Sequence, residues 1–293
     1  METVVRTLFP RRRVEGLSVL QARAVRGLLL GALIADGGYA MGYAVPSASA
    51  QSEIGRLTVR RTMATGKRTT TAGVQPLDSL YPGDSLLRKA FVAVPKMCVG
   101  TKRCALAVLM HGSGGGGRST LGSEKDPLRI FADSEGIICL ALTSLSDDRG
   151  WGNMHDPKNV DVPRLDAAMR TVLTHYAIDP TRIIIMGWSA GSSAALDWGV
   201  VNGDVFSRIM IAAGWAPFTQ DHEFDGLHRH GTPAVYIAMD YVEGDALQMP
   251  TFVPWMRTLG YAVTYRADSA GHQGSPERQN AGFAWLVHTP GWR

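Results

Sequence analysis

Gly187-Trp188-Ser189-Ala190-Gly191 decides how this chain folds, because the pentapeptide stands between a strand and a helix. Upstream, Arg182-Ile183-Ile184-Ile185-Met186 is a short β-branched apolar run of the kind that lies inside a parallel sheet, covered on both faces. Downstream, Ser193, Ala194, Ala195, Leu196 and Trp198 open a helix. A serine between the two must occupy a very tight turn. The flanking glycines remove the Cβ atoms that would collide with strand and helix, and the turn presents Oγ at the carboxyl end of the sheet.

Outward from this turn the same alternation repeats. Strands are predicted at 90–94, 105–111, 137–142, 208–213, 234–239 and 261–266, with helices at 127–135, 162–176, 252–259 and 279–287. Strands alternating with helices predict an α/β fold with a mostly parallel central sheet and helices on both faces. In such sheets a ligand lies beyond the carboxyl ends of the strands, so the residues that follow each strand are the ones to inspect. Residues 51–87 are polar, with a threonine-rich turn at 69–73 and an edge strand expected at 56–63. Residues 88–293 are the expected catalytic domain. A chain of 293 residues with 45% apolar content can bury a sizeable core, and 19% charged residues is too low a fraction for a disordered or nucleic-acid-coating chain.

Residues 1–50 read as a secretory signal. Arg11, Arg12, Arg13, Arg23 and Arg26 precede an apolar stretch from Gly27 to Val45, which ends in Ser47-Ala48-Ser49-Ala50, a small-x-small cleavage pattern. Asp36 and five glycines make the stretch a poor spanning helix. Removing this segment takes the formal charge from +4 to +1, so the basic character is largely a targeting effect. A secreted or periplasmic protein without stable membrane association is expected, and no mature basic patch with interleaved aromatics argues for nucleic acid.

In an oxidising compartment the cysteines become informative. Cys98 and Cys104 bracket a short turn between two predicted strands and are the expected pair, with Cys139 buried and free in Ile137-Ile138-Cys139-Leu140. Three unpaired thiols are the other reading, because spacing alone does not orient the Cβ vectors. His222, His228 and His230 cluster without a matching second half, so no metal site is expected.

Three strand ends carry chemistry. His111-Gly112-Ser113-Gly114-Gly115-Gly116-Gly117 lets backbone N–H groups approach a ligand closely, and the amides of Ser113 and Ala190 are the expected oxyanion donors. The loop lacks the lysine of a phosphate-binding Gly-Lys-Ser/Thr ending. Asp268-Ser269-Ala270-Gly271-His272 places His272 in position and chain order to act as base for Ser189. Asp240, Glu243 and Asp245 all follow the strand at 234–239; Asp245 is the favoured acid, then Glu243, then Asp240. Trp151 and Trp188 are expected walls of a substrate pocket, with ordinary packing the alternative for Trp151.

The segments His111-Gly112-Ser113-Gly114, Gly187-Trp188-Ser189-Ala190-Gly191 and Gly271-His272 resemble the oxyanion, nucleophile and histidine segments of the α/β-hydrolase superfamily. Asp179-Pro180-Thr181-Arg182 and the cysteine-bracketed turn are similar to secreted esterases of the polyhydroxybutyrate depolymerase and feruloyl esterase group, over residues 88 to 288. The resemblance implies a cofactor-free hydrolase of carboxylic esters, small or polymeric, with a Ser-His-Asp triad. The stretch after residue 239 departs from the Gly-x-x-Asp spacing common in that superfamily, which leaves the acid open. An acyltransferase or peptidase using the same triad, and a non-catalytic binding scaffold, are the rival readings.

Overall fold

The computed structural model describes residues 55–146, 150–153, 156–214, 229–241, 244–273 and 275–292. The signal assigned to residues 1–50, together with His222 and His228, lies outside them. Among the described residues, eight strands form one sheet: β1 (Gly73–Pro76), β2 (Ala90–Val94), β3 (Cys104–Met110), β4 (Ile137–Leu142), β5 (Ile178–Trp188), β6 (Arg208–Ala212), β7 (Ala234–Asp240) and β8 (Val263–Asp268). Their order is β1-β2-β4-β3-β5-β6-β7-β8. β1 and β2 run antiparallel to their neighbours, and the other pairings are parallel.

The continuous apolar runs form the middle of this sheet because helices cover both sides. On one side Leu106, Val108 and Met110 of β3 join Ile183 and Ile185 of β5 and Ile209 and Ile211 of β6. That layer packs against α2 (Asp161–His175), α3 (Ala190–Val201) and α4 (Met249–Thr258). On the other side β3 and β4 present smaller residues, Ala105, Ala107 and Ala141 among them, toward α1 (Pro127–Glu135) and α5 (Pro276–His288). Each fully buried leucine, valine or isoleucine contributes about 1.5–3 kcal/mol, so the bulkier side supplies most of the apolar stabilisation.

The strand expected at 56–63 is not formed. Leu57 and Val59 are buried in alternation, as in a strand, but side chains satisfy their backbone: Leu57 N–H donates to Asn202 Oδ1 (2.8 Å) and Val59 N–H to Asp166 Oδ1 (2.7 Å). Arg61–Met63 turns into a 3-10 helix. The edge strand of this region is β1 instead, ending in Pro76, which an edge tolerates because it lacks an N–H. Cys98 and Cys104 are joined by a disulfide, and Cys139 is free and buried in β4. Burial pushes the Cys139 thiol up to about 12, which leaves it an inert core residue. No helix among the described residues is long and apolar enough to cross a membrane.

β4 lies on one side of β3 and β5 on the other, so the chain reverses its direction of travel across the sheet between those two neighbours. The crevice beyond the carboxyl ends of β3 and β5 is therefore the topological switch point, and the predicted chemistry converges on it.

Candidate active site

Ser189 links β5 to α3 with φ 53° and ψ −125°, a left-handed conformation for a residue that carries a Cβ. Such a conformation costs about 1–3 kcal/mol and persists only where its surroundings impose it. Here they do. A Cβ on Gly187 would lie 1.9 Å from the Gly191 carbonyl oxygen, and one on Gly191 would lie 2.1 Å from the Met110 carbonyl oxygen. The turn is pinned from behind by the Ser189 N–H, which donates to Ala212 O (3.1 Å), and by the Ser192 hydroxyl against Gly187 O (3.0 Å) and Ala212 O (2.5 Å).

His272 meets Ser189 across the crevice, with Nε2 and Oγ 3.0 Å apart. Its ring is exposed and makes an edge contact with Trp188 at 6.2 Å between centroids. The residue before it is clamped on both sides. Gly271 N–H donates to the Asp240 carboxylate, while Gly271 O accepts from Arg278 Nη1 (3.2 Å). Arg278 also holds Asp268 through Nε (2.9 Å) and Nη2, and its guanidinium lies 3.8 Å from Asp240. Asp240 and Asp268 are register partners at the ends of β7 and β8, so one buried guanidinium from α5 spans both strand ends. The Arg278 hydrogen bonds, opposed by slight burial and helped by the Ala270 N–H, hold the Asp268 carboxyl below the usual carboxylate range.

Sequence reasoning missed this clamp. Its signal was present only as two aspartates ending neighbouring strands. The Asp240 carboxylate, third choice for the acid, accepts from the Gly271 N–H through one oxygen, which lies 3.8 Å from Arg278. Asp245 falls in the 3-10 helix Gly244–Leu247 that follows β7, on the same sheet edge; its side chain and all of Glu243 lie outside the described residues.

The glycine loop after β3 faces the serine. Gly115 N–H donates to Gly112 O (3.0 Å), closing a turn with Ser113 and Gly114 at its centre and Gly114 at φ 69°. Ala190 is the first residue of α3, so its N–H has no acceptor within the helix. Gly150 closes over this corner, and a Cβ there would lie 2.9 Å from Ala190 Cβ and 4.0 Å from Ser113 Oγ.

His111 holds the loop in place. Ser144 N–H donates to its Nε2 (2.9 Å), so the proton sits on Nδ1, which donates to Gly112 O (2.8 Å). Behind Ser144 stands Asp161, fully buried at the start of α2. Its carboxylate accepts from Ser144 Oγ (2.6 Å), the Leu145 N–H (2.9 Å) and Arg164 Nη1 (2.8 Å). Burial raises the Asp161 pKa, but the hydrogen bonds from Ser144, Leu145, Ser146 and Arg164 outweigh it and hold the group below its ordinary value. Trp151 completes the strut: its Nε1–H donates to His111 O (2.9 Å), and its ring packs on His111 and edge-on to Trp198. The structure therefore gives Trp151 a packing role beneath the loop, and Trp188 a place beside the histidine.

No protein-family model and no curated protein sequence matches the chain. Among solved structures it is similar to a Bacillus cereus carboxylesterase, with a TM-score of 0.54 and 16% identity over 71% of this chain and 97% of that one. It is also similar to a ferulic acid esterase from Anaeromyces mucronatus (TM-score 0.53, 15% identity, 69% and 85% covered) and to the esterase PE8 (TM-score 0.51, 18% identity, 66% and 95% covered). Together with the strand order, these likenesses define the class: the chain has the α/β-hydrolase fold.

Proposed function

We propose that the protein is a serine hydrolase that cleaves carboxylic esters through an acyl-enzyme on Ser189. The observation that carries this reading is the 3.0 Å approach of His272 Nε2 to Ser189 Oγ, on a strained turn that faces a glycine-rich loop. A strained serine within hydrogen-bond reach of an imidazole is the pairing nucleophilic catalysis needs. That the similar solved structures are esterases supports esters as the substrate class.

Ser189 Oγ attacks the ester carbonyl as its proton passes to His272 Nε2, and the carbonyl oxygen becomes an oxyanion held by the Ser113 and Ala190 amides. One such donor contributes about 3 kcal/mol of transition-state stabilisation. The C–O bond to the alcohol then breaks, and His272 returns the proton to the departing alkoxide. Water attacks the acyl-enzyme with His272 again accepting the proton, which releases the acid and restores Ser189. Asp245 is the proposed partner that orients His272 and stabilises its charged form. No step calls for a cofactor.

At the finer level, the proposed relationship is to secreted polyhydroxybutyrate depolymerase and feruloyl esterase types, with residues 1–50 removed on export. The Cys98–Cys104 disulfide supports an oxidising compartment. The test is a fluorophosphonate probe on residues 51 to 293, the adduct mapped by mass spectrometry beside a short-chain aryl ester assay. Labelling at Ser189 with turnover is expected. A folded sample that neither labels nor turns over would favour the binding-scaffold reading.

A further inference from the structure

An open groove at the carboxyl edge of the sheet is lined by Lys89 and Phe91 at the start of β2, by Gly116, Arg118 and Ser123 after β3, and by Thr143 after β4. β2 runs antiparallel to β4, so the start of one and the end of the other share that edge, and the Thr143 N–H donates to Lys89 O (2.9 Å). Lys89 and Arg118 are exposed, and neither forms an ion pair with a described residue; Arg118 Nη1 reaches Gly122 O at a long 3.4 Å. Two acids stand nearby and face backbone instead: Asp78 Oδ2 accepts from the Lys89 N–H (3.4 Å) and Asp126 Oδ2 from the Ser123 N–H (2.5 Å). The Thr143 and Ser123 hydroxyls accept from the Gly117 and Lys125 N–H groups (2.9 and 3.3 Å), which leaves their own protons to donate. The groove therefore offers two cations and two hydroxyl donors, with no carboxylate among its described lining.

Backbone conformation singles out one of the cations. Lys89 has φ 55°, a left-handed conformation that costs a residue with a Cβ about 1–3 kcal/mol. Glycine or asparagine suits that position better, so the lysine stands there against the preference of the backbone. The glycine loop also bounds the distance from the groove to the nucleophile. A Cβ on Gly112 would lie 3.2 Å from Ser189 Cβ, and Gly115 N–H donates to Gly112 O (3.0 Å). Such a turn keeps its end Cα atoms within about 7 Å, and Gly116 lies one Cα step of about 3.8 Å further on. The Gly116 rim is therefore within about 16 Å of Ser189 Cβ, the sum of those steps.

We infer that this groove is a substrate subsite for an anionic group, a carboxylate or a phosphate, carried by the ester on an arm long enough to cross the glycine loop from Ser189. Lys89 and Arg118 attract the anion, the Thr143 and Ser123 hydroxyls donate to it, and Phe91 supports the apolar part of the arm. The subsite rests on the serine hydrolase reading for its place in catalysis, but binding of the anion does not.

Two measurements test it separately. In the first, benzoate, phenyl phosphate and neutral benzamide are titrated into the Ser189→Ala protein and into its Lys89→Asn and Arg118→Gln derivatives, with binding read by ligand-observed NMR. The better anion of the two should bind about fivefold more tightly than benzamide, the factor that two exposed ion pairs confer together. That preference should fall in each derivative and fade near 1 M salt, where screening shortens to about 3 Å. Lys89→Asn should unfold at an equal or higher temperature, because asparagine accepts the left-handed backbone, so its loss of anion binding is not a loss of fold. In the second, kcat/KM is compared for para-nitrophenyl half-esters of succinate and hexadecanedioate, for the acetate ester of a long ω-hydroxy acid, and for the methyl-capped form of each. A free carboxylate should be favoured about fivefold over its methyl cap in one of the two long series and not in succinate, and Lys89→Asn and Arg118→Gln should reduce that ratio while para-nitrophenyl acetate turns over as before. The long series that responds assigns the subsite to the acyl or the alcohol side. Anion binding that depends on Lys89 and Arg118 in a protein without turnover would keep the groove as an anion site and remove the hydrolase reading. Turnover in which neither long series favours the charged ester, or in which the preference survives both substitutions, would overturn the subsite and leave the hydrolase reading standing.

Discussion

Replacing Arg278 with methionine should separate what holds the histidine loop from what performs the reaction. The side chain is 2% exposed, and its partners differ in setting: the Asp240 side chain is fully buried, whereas that of Asp268 is 37% exposed. The exposed partner contributes little after solvent screening, about 0–1 kcal/mol. The buried one dominates, because removing one partner of a buried ion pair typically costs about 3–5 kcal/mol. Adding Asp240→Asn removes the other half of the pair while keeping an acceptor for the Gly271 N–H, so the double variant should recover about half of that loss. Catalysis should suffer in parallel, since Gly271 is released at its carbonyl and His272 with it. A displacement of about 1 Å at a catalytic group costs roughly 100-fold. The loss should fall on kcat with KM little changed, and Arg278→Lys should rescue it only in part because an ammonium cannot reproduce the guanidinium fork. Urea unfolding and steady-state hydrolysis of an aryl acetate give both readouts. A stability loss under about 1 kcal/mol, or single-variant losses that simply add in the double, would refute the clamp as described.

Other outcomes follow from the same geometry. Ser189→Ala should abolish turnover while leaving the circular dichroism spectrum intact, and His272→Ala should act almost as strongly. Asp245→Asn, compared with Glu243→Gln, should locate the acid by the larger fall in kcat. Gly191→Ala should prevent folding, because its methyl group would press on the Met110 carbonyl of a buried strand, whereas Gly114→Ala, with nothing within 4 Å of the new Cβ, should cost only about 1–2 kcal/mol for its positive φ. Acid titration should expose Asp161. Its folded pKa lies below the unfolded value of about 3.9, so its stabilisation is complete above that pH and is lost as pH falls through the folded value; Asp161→Asn should flatten the acid limb of a plot of stability against pH. Cys98→Ser with Cys104→Ser should lower stability by about 2 kcal/mol, the chain-entropy figure for so short a loop.

How much of this was legible in the sequence depends on the range of the forces involved. Ser189, His272 and the glycine loop were readable because each follows an apolar run, and strand ends in a parallel sheet converge without further information. The cysteine pair was readable for a similar reason, being six residues apart on one turn. Residues 56–63 misled because alternation of Leu57 and Val59 reports burial, and burial does not reveal that Asp166 and Asn202, more than a hundred residues away, take the place of a neighbouring strand. The same limit hid the clamp and the strut. Asp240, Asp268 and Arg278 are ordinary charges until β7 and β8 are set side by side, and His111 is one more histidine until Ser144 fixes its proton. Long-range pairing between polar side chains leaves no periodicity to read.

The strained backbone at Ser189 also has an evolutionary consequence. Glycine at φ 53° would avoid about 1–3 kcal/mol of steric strain against about 0.5–1 kcal/mol of added backbone entropy, so the chain would gain stability by giving up its proposed nucleophile. A population of variants selected for heat resistance alone should therefore drift toward Ser189→Gly, and one selected for ester turnover should never accept it. The residue marks where survival of the fold and survival of the activity pull in opposite directions, so its retention under combined selection would report which of the two a given environment demands.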